Sequence, residues 1–314
     1  MKIIHVGLPK TGTTSLQNNI YPLLSGLRGF IWYKDKNNSL YQEVRDHIAR
    51  MRFDYPIKKI RLNNKDFISD EGLCGWDPHF WEEFAVKNLK AFGKNTHIIL
   101  TLRKPIDFLT SVYLQTCFHE GDVQEPEDFF LKKNFYSERL ETAKFSIDEF
   151  SYKKLINHYA SRFEKVTVVK YENINNLEFL KPIFSLTKNE LRKLQEIFAT
   201  HKIYNRAFSV RGTKITYNFS RFLNLFGLSL RKGTSHRSLY ELKLLKDENY
   251  RSEVVSKKEI SFIKKIALLV IRELNWRNFI QERIDRLLPY KKFSLNFEEL
   301  NIDITKFNKE YEKI

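Results

Sequence analysis

Cysteine is nearly missing from this chain: Cys74 and Cys117 are the only two in 314 residues. Two thiols cannot staple a disulfide scaffold or build a cysteine metal cluster. The eight histidines show no H-E-x-x-H or comparable spacing, so no metal is expected. Glycine and proline are scarce as well, at 11 and 8. No Ser/Gly-rich linker, low-complexity tract or internal repeat divides the chain, which favours a single domain over residues 1–314. Long uncharged apolar runs are also lacking. The most apolar helical stretch, 260–272, is interrupted by Lys264 and Lys265, so no transmembrane segment is expected. Nothing resembles a secretory signal, because Met1-Lys2 leads straight into the first strand, and the expected location is a reducing cytoplasm.

Acidic residues are in deficit. Against 38 Asp and Glu stand 54 Lys and Arg, a formal charge of +16. A field of that sign draws in polyanions such as nucleic acid, a membrane surface, a nucleotide or an acidic glycan. The bases are dispersed through 58–65, 132–144, 202–214 and 251–265, a pattern that also suits an ordinary solvated surface. Charge alone does not choose the partner.

What is present alternates short β-rich runs with helix-period segments, the pattern of an α/β fold around a mostly parallel sheet. Strands are expected over 2–6, 66–69, 96–102 and 165–171, and helices over 13–24, 78–92, 106–113 and 148–163. From about 187 onward the chain reads as mostly helical, with amphipathic runs at 260–274 and 279–288. In open parallel sheets ligands sit at the carboxyl ends of strands, where the residues after 6, 69 and 102 can converge.

Residues 7–16, Gly-Leu-Pro-Lys-Thr-Gly-Thr-Thr-Ser-Leu, join the first strand to the first helix. Unsatisfied amides and the dipole at a helix N-terminus form a cradle for phosphate-like anions. Gly7 and Gly12 allow a tight turn, Thr11, Thr13, Thr14 and Ser15 add hydroxyls, and Lys10 adds a full charge. A nucleotide-hydrolysing P-loop places Lys directly after its second Gly. Thr13 stands there instead, and the lysine lies two residues before Gly12. A Gly/Thr turn without a ligand is the plain alternative. A second cluster follows the 96–102 strand. Arg103 is a planar charged fork suited to phosphate oxygens, and Ser111, eight residues on, offers a hydroxyl two helical turns along. Taken alone, Arg103 reads equally well as a surface ion-pair partner.

Together these motifs resemble the sulfotransferases that use 3′-phosphoadenosine 5′-phosphosulfate (PAPS). That family's Pro-Lys-x-Gly-Thr-Thr loop stands here as Pro9-Lys10-Thr11-Gly12-Thr13-Thr14, and its Arg and Ser eight residues apart stand as Arg103 and Ser111. Ile4-His5-Val6-Gly7 and Val169-Lys170-Tyr171-Glu172-Asn173-Ile174 also resemble bacterial members. The resemblance implies a P-loop-like parallel β-sheet flanked by helices, with an α/β PAPS-binding core over 1–185 and a mainly helical part over 186–314. It implies that the loop, Ser15 included, binds the 5′-phosphosulfate and that Arg103 and Ser111 bind the 3′-phosphate. Arg231, Lys232 and Gly233 resemble a late Lys-Gly loop over that same phosphate, though an exposed basic turn reads equally well. Lys10 is implied to be catalytic. Glu71, in Ile68-Ser69-Asp70-Glu71-Gly72-Leu73, resembles a strand-end general base, against the plainer reading of a local cap or ion pair. His5, His97, His119 and His236 are less favoured bases, with His97 packed in a strand and His119 and His236 placed for substrate binding.

The implied reaction moves a sulfonate group from PAPS to a hydroxyl by in-line displacement, releases adenosine 3′,5′-bisphosphate and needs no metal. The expected acceptor is a carbohydrate, a bacterial cell-surface polysaccharide or glycolipid, acidic or neutral, with no nucleic-acid partner. A membrane-borne acceptor would bring the enzyme peripherally to the inner face of the membrane. A small-molecule or lipid alcohol as acceptor, a nucleotide kinase with a degenerate P-loop, and a non-catalytic polyanion binder are the alternatives.

Overall fold

The structure is a computed structural model that describes residues 2–29, 31–32, 39–52, 54–115, 125–131, 145–200, 209–225, 280, 283, 286 and 290–314. Strand β1 (Lys2–His5) is followed by helices α1 (Thr13–Asn19) and α2 (Tyr21–Arg28), strand β2 (Ile31–Trp32) and helix α3 (Ser39–Arg52). Strand β3 (Asp66–Ser69), helix α4 (Trp81–Phe92), strand β4 (Thr96–Leu102) and helix α5 (Pro105–Leu114) come next. Helix α6 (Pro126–Phe130), α7 (Tyr152–Ala160), strand β5 (Lys165–Lys170), α8 (Leu180–Phe184), α9 (Lys188–Thr200) and α10 (Val210–Leu225) follow, and a last helix spans Ile304–Glu312.

The five strands form one sheet in the order β2-β3-β1-β4-β5, and every pairing is parallel. Parallel strands need crossovers, and helices supply them on both faces. All seven residues of β4 are buried, as its unbroken Ile-Ile-Leu centre requires. Side chains alternate faces along a strand. Ile3, Phe67, Ile99 and Val169 therefore share one face, and they pack with Leu16, Tyr21 and Leu24 of α1 and α2 and with Leu180, Phe184, Leu191 and Leu194 of α8 and α9. Helix α7 lies against β4 and β5 and against α4, with Trp81 and Phe150 in ring contact at 5.8 Å.

One expected helix breaks and another is shorter than expected. The 13–24 helix ends at Ile20, because Pro22 has no N–H to continue the ladder and sits instead in the first turn of α2. The 148–163 helix is shorter, running Tyr152–Ala160: Phe150 and Ser151 are extended, and the Ser151 hydroxyl accepts the Lys154 amide as a cap.

The described residues group into two compact units. The first comprises Met1–Leu109, Phe145–Arg206 and Phe297–Ile314, and the second Thr110–Lys144 and Ala207–Asn296. In the second, Tyr113 packs on Phe129 at 5.6 Å and the Leu295 amide donates to Thr110 Oγ1 at 3.3 Å. The helical runs expected at 260–274 and 279–288 lie outside the described residues, save for positions 280, 283 and 286.

Candidate functional site

Strands β3, β1 and β4 are neighbours, so the loops leaving their carboxyl ends share one edge of the sheet. After β1 the Val6 amide donates to Ile99 O at 3.0 Å and the Leu8 amide to Thr101 O at 3.2 Å, carrying the ladder two steps further. The chain then turns sharply. Lys10 (φ 67°) and Gly12 (φ 78°) both adopt the left-handed conformation, and Thr11 Oγ1 donates to Leu8 O at 2.5 Å. Left-handed backbone is costly for a non-glycine residue, so the turn is held by its surroundings. Gly12 caps α1 without a side chain, which leaves first-turn amides to an outside acceptor.

Beneath the loop lies a polar layer on the α1/α2 face. His5 Nε2 is 2.6 Å from Thr101 Oγ1, and its Nδ1 is 3.0 Å from Ser69 Oγ and 2.9 Å from the Tyr21 hydroxyl. Gln17 Nε2 donates to Ser69 O at 3.0 Å. Burial lowers the His5 pKa to about 3, which favours the neutral ring, and both ring nitrogens have hydrogen-bond partners. A Cβ on Gly7 would lie 3.1 Å from both His5 Nε2 and Thr13 Oγ1. Thr13 Oγ1 is itself buried and makes no hydrogen bond among the described residues.

Arg103 leaves the end of β4 and turns toward the loop. Its Nη1 donates to Lys10 O at 3.0 Å, its Nη2 is 4.0 Å from Asp107, and its buried Nε has no hydrogen-bond partner among the described residues. The guanidinium lies 4.8 Å above the Tyr171 ring centre. The same ring presses on Gly12, where an added Cβ would come within 2.8 Å of Tyr171 Cε2. Tyr171 thus packs against both the loop and the arginine. In the sequence it stands only as one residue of the Val169–Ile174 segment, with no role of its own.

Glu71 opens a one-turn helix after β3, capped by Asp70, whose Oδ1 accepts the Gly72 amide at 2.8 Å. Burial foremost, then the Asp70 charge, raises the Glu71 pKa above 4.5, while the Lys10 and Arg45 charges pull it back. Lys10 and Glu71 therefore share one electrostatic neighbourhood. Pro9, Thr14 and Ser15 lie in the same loop and first turn of α1. His97 sits near the amino end of β4, bonded to Thr167 Oγ1 at 2.8 Å, and burial lowers its pKa to about 4. Ser111 lies on α5 within the second unit. His119, Arg231, Lys232, Gly233 and His236 lie outside the described residues.

Among the described residues no group of three or more His, Cys, Asp or Glu side chains is placed to hold a metal ion. No helix among them is long and apolar enough to cross a membrane. No protein-family model matches this chain, and no curated protein matches it.

Proposed function

We propose that this chain is a PAPS-dependent sulfotransferase that transfers a sulfonate group to a hydroxyl of a carbohydrate, a bacterial cell-surface polysaccharide or glycolipid. The observation that carries the reading is a pair of buried donors without a hydrogen-bond partner among the described residues, Thr13 Oγ1 and Arg103 Nε, with Arg103 tied to the same loop by its Nη1–Lys10 O hydrogen bond. A buried polar group without a partner costs roughly 1–3 kcal/mol, a cost that an anion with several acceptor oxygens removes. The strand order, with the glycine loop on central β1, suits a P-loop-like core.

In this reading the amides after Gly12, the Thr13 and Thr14 hydroxyls and Lys10 hold the 5′-phosphosulfate, and Arg103 holds the 3′-phosphate. The acceptor oxygen bonds to sulfur as the bond from sulfur to the 5′-phosphate oxygen breaks. Lys10 and the loop donors stabilise the charge gathering on that leaving oxygen, as preorganised donors do. Glu71 takes the acceptor's proton, a task its raised pKa suits. Adenosine 3′,5′-bisphosphate departs.

The basic surface supports an acidic acceptor. Lys153, Lys306, Lys309 and Lys313 line a concavity of about 430 Å³ beside the Ile304–Glu312 helix. Its two acids are engaged, Asp303 with the amides of Thr305 and Lys306, and Glu310 with Ser151 Oγ and the Lys153 amide. The acceptor class is tested with labelled PAPS against a panel of acidic and neutral glycans, phenols and lipid alcohols. Label on the glycans supports the assignment, and label confined to phenols or lipids overturns the carbohydrate part.

A further inference from the structure

Glu172 follows Tyr171, and both of its carboxylate oxygens are engaged. Oε1 accepts the Lys104 amide at 3.1 Å and Oε2 accepts the Tyr311 hydroxyl. The Arg103 carbonyl accepts the Tyr152 hydroxyl at 2.7 Å. Those two contacts fall on one peptide unit, since the Arg103 C=O and the Lys104 N–H belong to the same plane. A peptide is rigid, so gripping both of its polar groups fixes the dihedral that aims the Arg103 side chain.

Both grips lead to one residue. Tyr311 donates to Glu172, and its ring lies 5.8 Å from that of Tyr152. Lys170 Nζ sits 4.9 Å from the Tyr311 ring centre, a cation against its face. The helix that carries Tyr311 is seated by Phe307 against Phe150 at 4.8 Å and by Glu310, which accepts from Ser151 Oγ at 2.8 Å. Burial raises the pKa of both tyrosines above the ordinary value of 10.0, so both hydroxyls keep their protons and remain donors.

We propose that Tyr311 is a positioning residue for the anion clamp: through Glu172 and Tyr152 it locks the peptide between Arg103 and Lys104 and so sets the direction of the Arg103 guanidinium. The proposal rests on the reading of Arg103 as the 3′-phosphate ligand. A residue more than two hundred positions from Arg103 would then tune nucleotide affinity without touching the nucleotide.

The test uses the full chain and Tyr311→Phe, which keeps the ring and removes only the hydroxyl that donates to Glu172. Loss of a hydrogen bond to a charged group is expected to weaken adenosine 3′,5′-bisphosphate binding roughly five- to tenfold, read by calorimetry. The loss should fall on KM for PAPS rather than on kcat. In an Arg103→Ala background the same change should have no further effect, because the route to the ligand is gone. Hydrogen exchange of the Lys104 amide, which needs no ligand, should quicken several-fold in Tyr311→Phe. Wild-type affinity in Tyr311→Phe, or an equal loss with and without Arg103, overturns the proposal. Should the unaltered protein bind no bisphosphate, the sulfotransferase reading fails, and Lys104 exchange alone then decides whether the peptide is braced by Tyr311.

Discussion

The Arg103 guanidinium rests on the Tyr171 ring at 4.8 Å, and the edge of that same ring closes on Gly12. One aromatic side chain therefore spaces the arginine after β4 from the glycine turn after β1. Neither cluster can shift without displacing the ring between them, and the Arg103–Lys10 bond ties them directly.

Gly12 is the position where this packing tolerates no side chain. Alanine there would keep a left-handed φ of 78° and drive Cβ to 2.8 Å from Tyr171 Cε2. Gly12→Ala is expected to lower stability by about 1–3 kcal/mol in urea unfolding. Adding Tyr171→Ala should relieve the contact but not the backbone strain, so a full recovery would show that φ is not the cause.

Lys10 and Arg103 should fail differently. In the proposed mechanism Lys10→Ala removes the charge that stabilises the leaving oxygen, and it is expected to lower kcat by roughly 10²–10³-fold. Arg103→Ala should mainly weaken PAPS binding, seen as a raised KM. Undiminished turnover in both folded variants would contradict the assignment.

As the proposed base, Glu71 must be ionised to take a proton, and burial raises its pKa above 4.5. Turnover should therefore rise with pH through a limb lying above the ordinary carboxylate range. Glu71→Gln should abolish that limb and slow transfer while leaving bisphosphate affinity nearly unchanged. A Gln variant with wild-type rate would place the base elsewhere.

Acid should unfold the protein partly through its buried histidines. Burial holds the His5 pKa at about 3, below the 6.5 of an exposed ring, and His47 at about 4. Between the depressed and ordinary values the unfolded chain binds more protons, so stability falls as pH drops below about 6.5. Full occupancy of one extra site contributes about 1.4 kcal/mol per pH unit. Urea midpoints measured from pH 7 to 4 should decline, and His5→Gln should flatten the slope while lowering stability at pH 7.

Much of this architecture was legible in the residues. The strands at 66–69 and 96–102 were marked by apolar runs between charged or glycine turns, and the loop at 7–16 by its glycine and hydroxyl spacing. Helix α3 is missing from the sequence reading, although its buried Leu40, Val44 and Ile48 recur at the four-residue spacing of one helix face. Strand β2 spans two described residues and pairs with β3, too short for any period to show. The Tyr171 wedge, the His5–Ser69–Thr101 layer and the Tyr311 contacts depend on parallel register and on residues far apart in the chain. Such pairings are created by the fold and leave no local pattern.

The most direct measurement is a thermal-shift titration of the intact protein with adenosine 3′,5′-bisphosphate, with ATP at equal concentration as control. A ligand that binds only the folded chain raises the melting temperature as its concentration grows. The account predicts a saturable rise with the bisphosphate that is lost in Arg103→Ala, and a much smaller one with ATP. A rise with ATP and Mg²⁺ but none with the bisphosphate would contradict it.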